Sequence, residues 1–185
     1  MPSDKDRLYV ALYARGGAPV MPGLEDTYHW ALIVGPKTES NASRGRRFHA
    51  KEKLHVFGNP PVPQSVWEYE EREIPMMPTS MLLVRIMIGK VKDGNRLESI
   101  LRGIPVRPEV GGWNCVAWVK EAVEIALQDK RALGNPKNLS WDSIRDVAMW
   151  YVEDKKAAHR FDGQGEYDQS KAATWDMLEG VERVP

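Results

Sequence analysis

The chain carries one cysteine, Cys115, in the stretch GGWNCVAWVKEAV, and four histidines, His29, His49, His55 and His159. A thiol beside an imidazole can act as a nucleophile: the imidazole takes the thiol proton or pairs with the thiolate, and the sulfur attacks a carbonyl carbon. A free thiol titrates near pH ~8.5, so close to neutrality it is mostly protonated and needs that help. Cys115 follows Gly111-Gly112 and opens a run with helical spacing. That puts it in a first turn, where unpaired backbone N–H groups favour an anion. His29, in YHWALIVGPK, falls on a strand-like segment and shares a face with Ala31 and Ile33. His49, on the following strand-like segment, is placed to hydrogen-bond His29 and fix its tautomer, the third role in a triad. His55 at the end of that segment and His159 after a Lys-Lys pair read as solvent-facing. The competing reading is that a lone buried cysteine is an inert core residue and a strand histidine a satisfied structural group. A metal bound by His29, His49 and Cys115 would leave one coordination position open. No close-spaced ligand pair supports it, and neither a metal nor a cofactor is expected.

These residues need a scaffold, and the patterning supplies one. RLYVALYAR (7–15), YHWALIVGPK (28–37), RRFHAKEKLHVF (46–57), VWEYEEREI (66–74) and SMLLVRIMIGKV (80–91) read as five strands. The second is apolar on both faces, as a strand buried from both sides would be. The fourth is charged enough for an edge, and Arg85 is the one charge inside the apolar run of the fifth. After Asp93, a candidate N-cap, the period changes to helical. Leu97, Ile100, Leu101 and Ile104 mark one helix, and Val116, Val119, Val123 and Leu127 mark a longer central one within residues 113–133. A third helix follows Ser140 over about 141–161, and the tail beyond Gly163 is polar, with Trp175 and Leu178 able to dock. The expectation is an α+β fold: a five-stranded antiparallel sheet packed against helices, with Cys115 at the N-terminus of the central helix. It forms a single domain over 1–185, with a core of about 7–133 and a C-terminal helical extension of about 140–185.

Composition narrows the function classes. Apolar residues make up 42% and charged residues 28%, with 26 basic against 26 acidic side chains. The balance argues against a nucleic-acid partner, and the RGRRF cluster (44–48) reads as a solvated loop leading into a strand. No apolar run approaches the ~20 residues of a membrane span, and the first residues lack the order of a secretory signal. The expectation is a cytoplasmic protein with no membrane insertion. A single cysteine excludes an intrachain disulfide framework.

His29-Trp30-Ala31-Leu32-Ile33-Val34-Gly35, followed much later by Asn114-Cys115 with Trp118-Val119, resembles the circularly permuted NlpC/P60 branch of the papain-like superfamily. That branch includes the lecithin retinol acyltransferase-like and PPPDE-type proteins. The first segment matches the H-W-A-hydrophobic-hydrophobic-V-G pattern, and the second matches N-C-E-H-F-V in part, with Val116-Ala117 in place of Glu-His. HWAL, GPK and FHA segments also resemble a group of small fungal proteins. The resemblance covers roughly Tyr28 to Leu127. It implies a permuted papain-like fold, with Cys115 as nucleophile, His29 as base, His49 as the residue orienting it, and backbone N–H groups near Cys115 as an oxyanion hole. The longer interval from His29 to His49 requires GPKTESNASRGRR to be an inserted loop.

Two functions follow. One is a cysteine hydrolase or acyl transferase acting on an amide, ester or thioester of a small-molecule or peptide acyl substrate, with Trp30, Trp113, Asn114 and Trp118 lining or supporting the cleft. The other is a papain-like scaffold without chemistry, serving as a protein-interaction module. Accessibility of the thiol and its reach to His29 separate them. The sequence leaves the oligomeric state open.

Overall fold

The computed structural model describes residues 4–134 and 138–185. In chain order the elements are β1 (Arg7–Ala14), a 3-10 turn (Glu25–Thr27), β2 (Tyr28–Gly35), β3 (Arg44–Phe57), β4 (Val62–Pro75), β5 (Leu82–Lys90), α1 (Gly94–Arg102), α2 (Cys115–Gln128), α3 (Trp141–Ala157), β6 (Ala173–Asp176) and β7 (Val181–Val184). The strands form one sheet in the order β4-β3-β2-β1-β5-β6-β7. The α+β class is as expected, but the sheet has seven strands and is mixed, not five and antiparallel. The five expected strands do pair antiparallel with one another. β6 then joins β5 in parallel and β7 closes antiparallel on β6. Both late strands are four residues long, too short for a period of two to stand out from a polar tail. The chain reaches β6 only after three helices, a crossover long enough to bring a strand back parallel to β5.

Alternation sorts the central strands into two faces. Leu8, Val10, Leu12, Trp30, Leu32, Val84, Ile86 and Ile88 join the core under the helices. Tyr9, Ala11, Tyr13, Ala31, Ile33 and Met87 form a smaller cluster on the opposite face with Met76. Burial on both faces is why β2 shows no polar alternation. α2 lies against β2 and β3, α3 against β5 and β1, and α1 against α2. Asp93 caps α1 by accepting the Arg96 N–H at 3.0 Å, and Ser140 with Ser143 forms a reciprocal capping box on α3.

β3 and β4 are paired along their whole length, from Arg44↔Pro75 to Phe57↔Val62. β2 pairs with β3 only over Leu32–Val34. Beyond Phe48 the two long strands therefore leave the sheet as an arm, and the Tyr28–Ala31 half of β2 has no ladder partner on that side. His55 sits on this paired arm, not on a fraying end, and bonds Glu68 at 2.6 Å. Among the described residues no helix is long and apolar enough to cross a membrane.

Candidate functional site

Three side chains meet where β3 peels away from β2. The register sets His29 opposite Tyr13 and His49 opposite Glu70, and both histidines lie on the face carrying Ala31, away from the helices. His29 Nε2 is 2.6 Å from His49 Nδ1, and His49 Nε2 is 3.0 Å from Glu70 Oε1. Lys51 also pairs with Glu70, and Arg47 reaches it at 3.4 Å while lying over the Tyr13 ring.

The protonation pattern follows from the ends of this chain. Burial raises Glu70, but its hydrogen bonds from Lys51 and His49 outweigh that and hold the carboxyl down to about 2, so it is ionised and can only accept. Burial pushes His49 down to about 4 against the pull of Glu70, and pushes His29 down to about 3 with help from His49 and Arg47. Both rings are neutral near pH ~7, with one N–H each. His49 must spend its proton on Nε2, donating to Glu70. Its bare Nδ1 then accepts from His29 Nε2–H, and His29 is left with a lone pair on Nδ1. A carboxylate two side chains away thus sets the tautomer of His29. Nδ1 has no hydrogen-bond partner among the described residues.

Cys115 approaches from the other side. Asn114 caps α2 by accepting the Val116 and Ala117 N–H groups on Oδ1, at 3.0 and 3.2 Å. The thiol is 3% exposed and packs in the helix-side core with Trp30 and Trp118. Burial pushes it up, only partly countered by a hydrogen bond from the Trp30 backbone N–H and by the nearby Arg15 charge. Trp30 directly follows His29, so the sulfur lies on the helix-side face of the unpaired stretch of β2, whereas the imidazole projects from the opposite face. Among the described residues no hydrogen bond joins Cys115 to either histidine. The resting groups are a neutral thiol and a neutral imidazole. A helix N-terminus alone suggests a thiolate, and the Cys115 and Val116 amides do pull the thiol down, but desolvation outweighs them here.

The other expected site residues divide. Trp30 and Trp118 are wholly buried, and Trp30 Nε1 donates to the Glu25 carbonyl at 2.8 Å. They fill the core and present no surface to a substrate. Asn114 is the helix cap, with its amide donating to Met21 Sδ at 3.3 Å, which ties the loop before β2 to the turn holding the thiol. Asp26 holds that loop from the other end, accepting the Val20 and Met21 N–H groups at 2.8 and 3.1 Å. Trp113 is half-buried, edge-on to Trp67 with ring centres 5.7 Å apart. Of the four, Trp113 and Asn114 keep partial exposure. His159 is exposed and bonds Asp162 at 2.6 Å.

Sequence reasoning missed Glu70 and Lys51. The available signal was the alternation within VWEYEERE, which puts Glu68 and Glu70 on one face, but only the β3–β4 register shows which of them meets His49. The chain belongs to the family described as a family of unknown function (DUF6914), which it matches over residues 5–184. No curated protein and no solved structure matches it.

Proposed function

We propose that this protein is a cysteine hydrolase or acyl transferase of the permuted NlpC/P60 papain-like kind, acting on an amide, ester or thioester carbonyl. The observation that carries the reading is the His29–His49–Glu70 chain, which leaves a lone pair on His29 Nδ1, one residue along β2 from Trp30, with which Cys115 packs on the opposite face. In the first step the Cys115 proton passes to His29 Nδ1 as sulfur attacks the carbonyl carbon. The imidazolium keeps its Nε2–H bond to His49, with the Glu70 charge beyond. Collapse of the tetrahedral adduct returns that proton to the leaving amine, alcohol or thiol and leaves a thioester on Cys115. Water or another acceptor then attacks, with His29 again as base. His29 projects from the face of β2 away from the helices and Cys115 packs on the helix side, so Sγ and Nδ1 can meet only around the β2 edge that β3 leaves unpaired, which requires that stretch to rearrange as substrate binds.

A second reading, an interaction module without chemistry, is favoured by the depth of the thiol and its raised pKa. The exposed Leu54, Val56, Phe57 and Val62 on the projecting arm would then be its contact surface.

Incubation with p-nitrophenyl acetate, followed by intact-protein and peptide mass spectrometry, separates the two. Catalysis predicts an acetyl adduct on Cys115 in the wild type, its absence in Cys115→Ser, and a rate lower by ~10²–10⁴ in a folded His29→Ala. No adduct in the wild type, or an unchanged rate in His29→Ala, sinks the mechanism and leaves the interaction reading.

A further inference from the structure

A second polar feature lies on the face of the sheet away from the helices and does not involve Cys115. A cavity of about 580 Å³ opens over β1, β5 and β6, within the range of small-molecule sites. Its floor holds Arg85, 4% exposed, in the middle of the strand LLVRIMIGK. Burying a guanidinium there costs several kcal/mol unless it is fully paired. Its contacts are specific. Arg85 Nε and Nη2 both donate to Thr174 Oγ1 at 3.2 Å, and the Thr174 hydroxyl gives its own proton to the Ala172 carbonyl at 2.7 Å, which keeps its lone pairs for the guanidinium. The group is 4.6 Å from the centre of the Tyr9 ring. Nη1 then takes a single oxygen, Glu39 Oε1, at 2.9 Å.

That carboxylate comes from the β2–β3 loop, not from the sheet, and its side chain is 27% exposed. One monodentate oxygen from a loop underuses a donor group suited to bidentate anions. The surrounding charge points the same way. The cavity's acidic Asp176 and Glu179 are both taken up by Arg183, at 2.8 and 2.6 Å. Arg7, Lys37 and Lys90 line the same space with no carboxylate within ion-pair distance among the described residues. Once Glu39 is matched to Arg85, the lining remains net positive.

We propose that this cavity binds a small organic anion, ending in a carboxylate or a phosphate, which takes the place of Glu39 on the Arg85 guanidinium. Thr174 and Tyr9 hold the guanidinium still, Lys37 and Lys90 supply charge at the rim, and Glu39 is a built-in competitor that keeps the buried arginine neutralised when the site is empty. The proposal is independent of the cysteine chemistry.

Thermal unfolding of the full chain in ~10 mM inorganic phosphate, succinate or chloride at matched ionic strength tests it, since a ligand that binds only the folded state raises the midpoint with concentration. At least one of the two anions should raise the midpoint above chloride; phosphate alone identifies a phosphate ligand, and succinate alone a carboxylate. Glu39→Gln removes the competitor and should tighten the apparent Kd by about tenfold, while Lys37→Ala/Lys90→Ala, at the rim, should weaken it by a similar factor. The proposal is overturned if neither anion protects wild type or Glu39→Gln. It is equally overturned if protection is the same in wild type, Glu39→Gln and the double lysine variant.

Discussion

The histidine pair should make the fold acid-sensitive well above the range in which ordinary carboxylates titrate. An unfolded histidine has a pKa near 6.5, whereas the folded values are about 3 for His29 and about 4 for His49. A base whose pKa is depressed by folding binds its proton more readily when unfolded, so stability is full above the unfolded pKa and falls as the pH drops toward the folded value. From about pH 7 to about pH 5 each histidine loses most of one and a half pH units of linkage, at roughly 1.4 kcal/mol per unit, so the pair costs about 4 kcal/mol. That is a large share of a typical domain's stability. Glu70 acts lower. Its stabilisation is present above its ordinary 4.5 and disappears as the pH falls toward about 2, so it contributes little to the window between pH 7 and 5. The charges facing the pair are Arg47, Lys51 and Arg15 on the positive side and Glu70 on the negative. Urea unfolding followed by tryptophan fluorescence at the two pH values and constant ionic strength gives the difference directly. His49→Gln, which keeps a hydrogen-bonding side chain that does not titrate, should remove about half of it. A wild-type loss below ~1 kcal/mol would refute the neutral buried pair, and with it the tautomer assignment built on Glu70.

Two further outcomes follow. Glu70→Gln preserves an oxygen for His49 but removes the charge that stabilises an imidazolium at His29, so acylation of Cys115 by p-nitrophenyl acetate should slow by ~10–100-fold while the fold is retained; an unchanged rate would remove Glu70 from the mechanism. Asn114→Ala strips the two capped amides of α2 and should lower stability by about 1 kcal/mol in urea unfolding, whereas Asn114→Asp, which can still accept both, should cost much less. Equal losses in the two variants would mean that the cap is not what Asn114 contributes.

Much of the fold was legible because local pattern and tertiary role coincide. The buried runs of β1 and β2 are apolar on both faces since one face meets the helices and the other the Tyr9–Ile33 cluster, and β5 follows them except at Arg85. The starts of α1 and α3 follow from the side-chain chemistry of Asp93 and Ser140. What failed to show was set by distant partners. ATWD is a strand because β5 offers it an edge after a long excursion, and nothing in four residues encodes that edge. The charged stretch 66–74 reads as an edge strand, yet the strand runs fourteen residues, Val62–Pro75, because β3 pairs it throughout, including where both have left the sheet.

The site shows the same division with larger consequences. Types and spacing picked out Cys115, His29 and His49, and the two histidines do meet. Glu70 was out of reach, because its role depends on a register that brings residues 21 positions apart to hydrogen-bond distance. Without it the tautomers are undetermined, and either nitrogen of His29 could be the base. With it only Nδ1 is free, so under the proposed mechanism Nδ1 is the base. The sequence also suggested a sulfur activated by its helix. The amides of that helix start do pull the thiol down, but burial outweighs them and holds the proton on sulfur. Under the proposed mechanism activation therefore comes from the imidazole at the moment of attack, not from a standing thiolate, so a variant that loses His29 should lose reactivity at every pH below the raised thiol pKa.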